Sequence, residues 1–234
     1  MALKVFALSD LHLSINNPKP MDIFGENWDN YVDLIVKNWN RKVKDDDIVL
    51  ICGDISWAMK FEDVVSDIQF ISSLKGKKVL LKGNHDYWWH SISNLRNILP
   101  SGMYAIQNDA IKIDNIIICG SRGWTPAEDK KFKTEEDEKL YKRELIRMEL
   151  SLKSAKAMQK DGDEIIVMMH FPPFNSRFQC NEMSELFETY GVNSVVYGHL
   201  HNAERKQKLK FTKKKIKYYL TSTDHIKHNP VRIY

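Results

Sequence analysis

The chain of 234 residues is long enough for one large α/β domain with a sizeable core. Its charges nearly cancel, 35 Lys and Arg against 31 Asp and Glu for a net +4, so whole-molecule electrostatics give no reason to expect a polyanionic partner. Three cysteines, Cys52, Cys119 and Cys180, are odd in number and too few for a disulfide framework, and reduced, buried thiols are expected.

The N-terminal stretch MALKVFALSD stops at a charged motif without a small-residue cleavage pattern, and no apolar run reaches the roughly 20 residues that span a bilayer. A cytoplasmic location without a membrane span is expected. Along the chain, short runs rich in Val and Ile recur: LKVFALS, DIVLICG, KKVLLKG, NIIICG, EIIVMMH and NSVVYGH. Each is closed by Gly, Ser or a polar residue, which predicts buried strands with loops at their ends.

Between the first two runs, Trp28, Tyr31, Ile35 and Trp39 recur at spacings of three and four, the apolar face of a helix. Glu62 to Leu74 is predicted as a second helix. This alternation implies right-handed crossovers, a largely parallel sheet and chemistry at the C-terminal strand ends. The segment from Thr134 opens with a capping box, Thr134 and Asp137, and acids fill its first turn. Leu140, Tyr141, Leu145, Met148, Leu152 and Ala155 then form a stripe, predicting a surface helix packed on the sheet rather than a coiled coil. After about residue 202, RKQKLKFTKKKIKYYL alternates around a lysine cluster and predicts a β-hairpin with Lys213 to Lys215 at its turn. No repeat, low-complexity tract or linker divides the chain, so residues 1–234 are read as one domain.

Each polar motif falls where a predicted strand ends. Asp10 and His12 in LSDLHLS are two apart and leave extended backbone on the same face. Asp54 follows Gly53; Asn84, His85 and Asp86 stand together in KGNHD; His170 closes VMMH; and His199 and His201 are again two apart in VYGHLH. Five of the eight histidines therefore lie in a few short motifs, which argues against scattered core or surface placement. Any one motif has a bland reading, as a capped strand end or a turn. Five in order, each after an apolar run, are far more specific.

In that order the residues resemble the calcineurin-like metallophosphoesterase superfamily, whose pattern reads D-x-H, G-D, G-N-H-D/E, a later H and then G-H-x-H. The resemblance runs from Asp10 to His201 without a substitution. It implies an α/β fold of four layers, α/β/β/α, with two mixed sheets flanked by helices. It implies one metal held by Asp10, His12, Asp54 and His201 and another by Asp54, Asn84, His170 and His199, with Asp54 bridging. His85 is implied to serve the leaving group, with Asp86 orienting its ring. The implied activity is that of a dinuclear-metal-dependent phosphoester hydrolase, in which a metal-activated hydroxide attacks phosphorus in line. Carboxylate, imidazole and amide ligands suit two divalent or mixed-valence transition-metal ions, Mn, Fe, Zn or Co.

Aromatics crowd the motifs: Trp57, Trp88, Trp89, Trp124, Phe171 and Phe174. Core packing is the expectation for most, while Arg122 and Trp124 are candidates for substrate binding, the arginine as a bidentate phosphate ligand. The loop SINNPKPMDIFGEN is either a rim over the metals or an ordinary connection. His90, His225 and His228 match no motif and are expected to be solvated or satisfied in the core, although His225 could lend the site a hydrogen bond. The expected substrate is a phosphorylated small molecule, with a nucleotide-like phosphodiester leading. A phosphomonoesterase and a protein phosphatase are the alternatives. A nucleic-acid partner is disfavoured by the charge balance. A non-enzymatic binding scaffold is disfavoured because every metal-motif position is intact.

Overall fold

The computed structural model describes residues 3–126, 134–201 and 208–234. In chain order the elements are β1 (Val5–Leu8), α1 (Tyr31–Lys42), β2 (Ile48–Cys52), α2 (Val65–Ser73), β3 (Lys77–Leu81), α3 (Ile92–Ile98), β4 (Met103–Ile106), β5 (Ala110–Ile113) and β6 (Ile116–Gly120). They continue with α4 (Glu135–Met158), β7 (Glu164–Met168), α5 (Glu182–Thr189), β8 (Ser194–Tyr197), β9 (Lys210–Lys213), β10 (Ile216–Leu220) and β11 (Val231–Arg232). One sheet has the order β11-β1-β2-β3-β4 and the other β5-β6-β7-β8-β10-β9. Within each, the interior pairs are parallel, whereas β11, β5 and β9 pair antiparallel at the edges. Both sheets are thus mixed.

The apolar runs lack alternation because both faces of each sheet are covered. In β2, Val49 and Ile51 pack with Tyr31, Ile35 and Trp39 of α1 and Ile68 and Ile71 of α2. Ile48, Leu50 and Cys52 turn the other way and meet Ile116, Ile118, Ile166 and Met168 of the second sheet. On its far face, Ile165 and Val167 pack with Met148, Leu152 and Ala155 of α4 and Phe187 of α5. Three apolar seams separate four layers, α/β/β/α, as the resemblance implied.

Helix α1 begins at Tyr31, so Trp28 lies in a 3₁₀ turn ahead of it, still buried against the same face. The second helix is shorter than expected and runs from Val65 to Ser73. Cys52 and Cys119 are buried free thiols, but Cys180 is exposed, contrary to the expectation for all three, because it lies in the loop before α5 rather than on a strand. The capping box of α4 is present: Thr134 Oγ1 accepts from Asp137 N at 3.1 Å and Asp137 Oδ2 accepts from Thr134 N at 3.1 Å. Its stripe also includes two buried polar residues that periodicity did not mark, Glu144 and Ser151. Ser151 Oγ bonds Asp109 O and Gly120 N, and Glu144 accepts from Gly123 N and Arg147, pinning the loop that leaves β6.

The C-terminal hairpin forms between β9 and β10, with Lys214 and Lys215 both left-handed at φ 49° and 68°, as a two-residue turn of matching twist requires. It is no appendage, since β10 also pairs in parallel with β8. The first part of the predicted hairpin sequence, residues 202–207, lies outside the described residues. Beyond β1 and β10, Ser9 and Ser222 form a bridge that joins the two sheets at their C-terminal strand ends. No helix among the described residues is long and apolar enough to cross a membrane.

Candidate metal centre

The loops after β1, β2, β3, β7 and β8 meet at this junction. Asp10 N donates to Gly53 O at 2.9 Å and His12 N to Asp54 O at 3.0 Å, so the first two loops run side by side. Tyr31 of α1 donates its hydroxyl to His12 O at 2.8 Å, fixing the first from outside. Asp10, His12, Asp54 and His199 all adopt left-handed backbone, at φ 61°, 46°, 51° and 68°. Non-glycine residues seldom adopt that conformation, and it concentrates at functional sites whose surroundings enforce it. The backbones also press close. A Cβ on Gly83 would stand 2.1 Å from Asp54 Oδ1, and one on Gly198 2.5 Å from Asp10 Oδ2.

Two groups of donor atoms result. In the first, one atom each from Asp10, His12, Asp54 and His201 lie within 4.8 Å of one another. His12 Nε2 faces His201 Nε2 at 3.3 Å, and His201 Nε2 is 3.2 Å from Asp10 Oδ1. In the second, Asn84 Oδ1 is 2.7 Å from His170 Nε2 and 2.9 Å from His199 Nδ1, while the two ring nitrogens are 3.3 Å apart. Asp54 Oδ2 belongs to both, at 3.9 Å from His12 Nε2 and 3.4 Å from His170 Nε2.

This donor set fits cations. Its atoms are lone-pair bearers turned toward one another, an arrangement that positive charge between them would relieve. His170 Nδ1 lies 3.0 Å from the Cys52 carbonyl, which can only accept. A hydrogen therefore sits on Nδ1, and Nε2, which faces Asn84 and Asp54, is the nitrogen whose lone pair a metal would take up on displacing any proton there. Thiolates take no part.

Electrostatics carry the same demand for positive charge. Burial opposes ionisation of Asp10, but His201, His170 and His12 outweigh it and hold its pKa below the usual range. Asp54 is likewise held low, against burial, chiefly by His170. In return, although burial works against it, Asp10 and Asp224 lift His201 to about 10, and Asp54 and Asp10 lift His170. Burial depresses His12 to about 4 and His199 to about 3. Without cations, two imidazolium groups thus supply the charge that two buried carboxylates require.

The other expected residues are placed as follows. His85 is half-buried beside the centre, its backbone N–H donated to Asp54 Oδ1 at 2.8 Å. Asp86 does not orient its ring. The Asp86 carboxylate turns the opposite way and accepts from Ile55 N, Ser56 N, Gly83 N and Trp88 Nε1 at 2.7 to 3.2 Å, tying the β2 loop to the β3 loop. Burial and the Asp54 charge push its pKa up to about 6 against the pull of those donors. Arg122 lies 5.2 Å over Trp124 and 6.0 Å from the Phe171 ring centre, and Phe171 packs against His199 at 4.1 Å between centroids with the rings tilted by 33°. Trp124 Nε1 donates to Asp137 Oδ1 at 3.0 Å, so the α4 cap also anchors this loop. Trp88, Trp89, Phe171 and Phe174 are buried.

Sequence reasoning missed Asp224. Its Oδ1 lies 3.4 Å from His201 Nδ1, the place considered for its neighbour His225. His228 is satisfied in the core by Asn27 O and Thr223 Oγ1, and His90 is exposed. Ser9 was also missed, and its hydroxyl donates to Asp10 Oδ2 at 2.8 Å.

A four-layer α/β sandwich carrying a carboxylate-bridged imidazole cluster at the C-terminal strand ends defines a metal-dependent hydrolase of phosphoesters. The chain belongs to the calcineurin-like phosphoesterase family, matched over residues 3–203. No curated protein sequence matches it. Solved structures share its fold at low identity. TT1561 of Thermus thermophilus has a TM-score of 0.60 at 12% identity, over 99% of this chain and 98% of that one. Phosphopantetheinyl hydrolase of Mycobacterium tuberculosis gives 0.53 at 13% identity, over 94% and 88%. Purple acid phosphatase PPD1 of yellow lupin gives 0.54 at 14% identity, over 95% of this chain and 44% of that one.

Proposed function

We propose that the centre holds two transition-metal ions, from Mn, Fe, Zn and Co, and hydrolyses a small nucleotide-like phosphodiester. Asp10, His12, Asp54 and His201 would hold one ion, and Asp54, Asn84, His170 and His199 the other. The observation that carries this is the convergence of both donor groups on the single oxygen Asp54 Oδ2. Two such cations supply positive charge against phosphoryl oxygens and acidify a water. The chain's own residues do the rest. His85, beside the centre but outside both donor groups, delivers a proton to the departing oxygen. Arg122 binds a non-reacting phosphate oxygen, and the half-buried Trp124 ring beside it suits a stacked base. That pairing of a cation with an aromatic face favours a nucleotide over a bare phosphomonoester.

The test is turnover of bis-p-nitrophenyl phosphate and p-nitrophenyl phosphate by the manganese-loaded protein, with a chelator control. The diester is expected to give the higher kcat/KM, and chelation to abolish turnover of both. Preference for the monoester would overturn the substrate reading. No turnover of either by metal-loaded protein would return the chain to the binding-scaffold reading.

A further inference from the structure

His85 differs from the other working groups of the site in how its ring is held. Among the described residues its imidazole makes no hydrogen bond, and Asp86, its sequence neighbour, is engaged elsewhere. A histidine χ2 has a broad torsional well, so packing must set the ring's direction. Three rings surround it: Trp57 at 4.9 Å between centroids, His12 at 5.8 Å and Tyr87 at 6.3 Å. Tyr87 is 52% exposed, and His12 turns its Nε2 to His201 in the first donor group. Trp57 is the remaining wall.

Trp57 is built to be rigid. Its backbone N–H donates to Leu13 O at 2.9 Å, its indole N–H points to Met21 Sδ at 3.1 Å, and Lys19 Nζ lies 5.2 Å from its ring centre. It also stacks on the His12 ring at 4.7 Å and 25°. His12 is held besides by its own backbone, whose N–H donates to Asp54 O at 3.0 Å and whose carbonyl accepts the Tyr31 hydroxyl at 2.8 Å. The chain thus sets an aromatic plate beside His85 where His170 uses a carbonyl and His201 a carboxylate.

We propose that Trp57 is a positioning residue that aims the His85 ring at the leaving oxygen. This rests on the role given to His85 above. A tryptophan beside a phosphate site otherwise reads as core packing or as a platform for substrate, and neither role would depend on how much the leaving group needs a proton. A misaimed donor is costly, since displacement by about 1 Å can lower a rate roughly 100-fold.

The experiment compares wild type, Trp57→Ala, Trp57→Phe and His85→Ala, all manganese-loaded, on aryl phosphate esters whose leaving groups run from 2,4-dinitrophenol to phenol. Dinitrophenolate departs without protonation, whereas phenolate needs a proton. Trp57→Ala is expected to lower kcat about tenfold more on the phenyl than on the dinitrophenyl ester, with metal content unchanged. Trp57→Phe should recover most of that difference, and in the zinc-loaded proteins, which are diamagnetic, the His85 ring nitrogen resonances, sharp in wild type, should broaden in Trp57→Ala. An equal loss across the series, or loss of bound metal, would make Trp57 a structural support of His12 and overturn the proposal. His85→Ala separates the two readings. If it lacks leaving-group dependence, the assignment of His85 fails and takes this inference with it. If it shows that dependence and neither Trp57 variant does, only the positioning role fails.

Discussion

Asp54 carries more of the site than any other side chain. One oxygen, Oδ2, faces His12 on one side and His170 on the other, while Oδ1 accepts the His85 backbone N–H. Its own backbone is held left-handed, with its carbonyl bonded to His12 N. Asp54→Ala should therefore deplete both ions together, and elemental analysis after dialysis would measure this. Retention of two tightly bound ions would end the bridging assignment. Asp10→Ala should differ in degree, because it removes an oxygen from one donor group while the other keeps all its donor atoms and loses only the carboxylate that holds the His199 backbone N–H. Legibility at this scale followed sequence distance. The seven proposed ligands stand in short motifs and could be read directly. The role of Asp86 could not, because neighbouring residues project in different directions, and its carboxylate faces the β2 loop while the His85 ring faces Trp57.

At the scale of elements, the centre depends on how closely loops from different strands approach. Gly83 admits the Asp54 carboxylate and backbone nitrogen where any Cβ would stand within 2.2 Å of them. Gly83→Ala should cost the protein its metals even though no ligand is changed, because the β3 loop must move away from Asp54 and carries Asn84 with it. Elemental analysis would show the loss, while far-UV circular dichroism should remain that of a folded α/β protein. An alanine variant with full metal content would show that the loop relaxes without opening the site. The strands whose ends carry motifs were legible because each is an apolar run closed by a polar group. Strand β4 shows Tyr104 to solvent, and β11 is a two-residue strand defined by its pairing with β1, so neither has a pattern of its own. Asp224 was hidden for a related reason. It reaches His201 only because β10 lies parallel to β8, a long-range pairing that local sequence does not encode.

For the whole molecule, the buried charges tie metal binding to pH. In the metal-free protein the carboxylates raise His201 to about 10 and raise His170 as well, from an ordinary value of 6.5. A group so raised stabilises the fold fully below pH 6.5 and loses that contribution as pH climbs through its folded value. Cations must displace these protons, so apparent metal affinity increases with pH across the neutral range, by up to about tenfold per pH unit for each proton displaced. The gap in Tm between manganese-loaded and chelated protein should then widen from pH 6 to pH 8. At a free metal concentration about 100 times Kd the stabilisation is about 2.7 kcal/mol, or roughly 5–11 °C in Tm for a chain of this size. Titration calorimetry in two buffers of different ionisation enthalpy gives an independent measure, since protons should be released on binding at pH 7. A Tm gap that narrows with pH, or binding without proton release, would mean that His201 and His170 are neutral before the metal arrives. The carboxylates would then owe their charge balance to something other than the two imidazoles that face them.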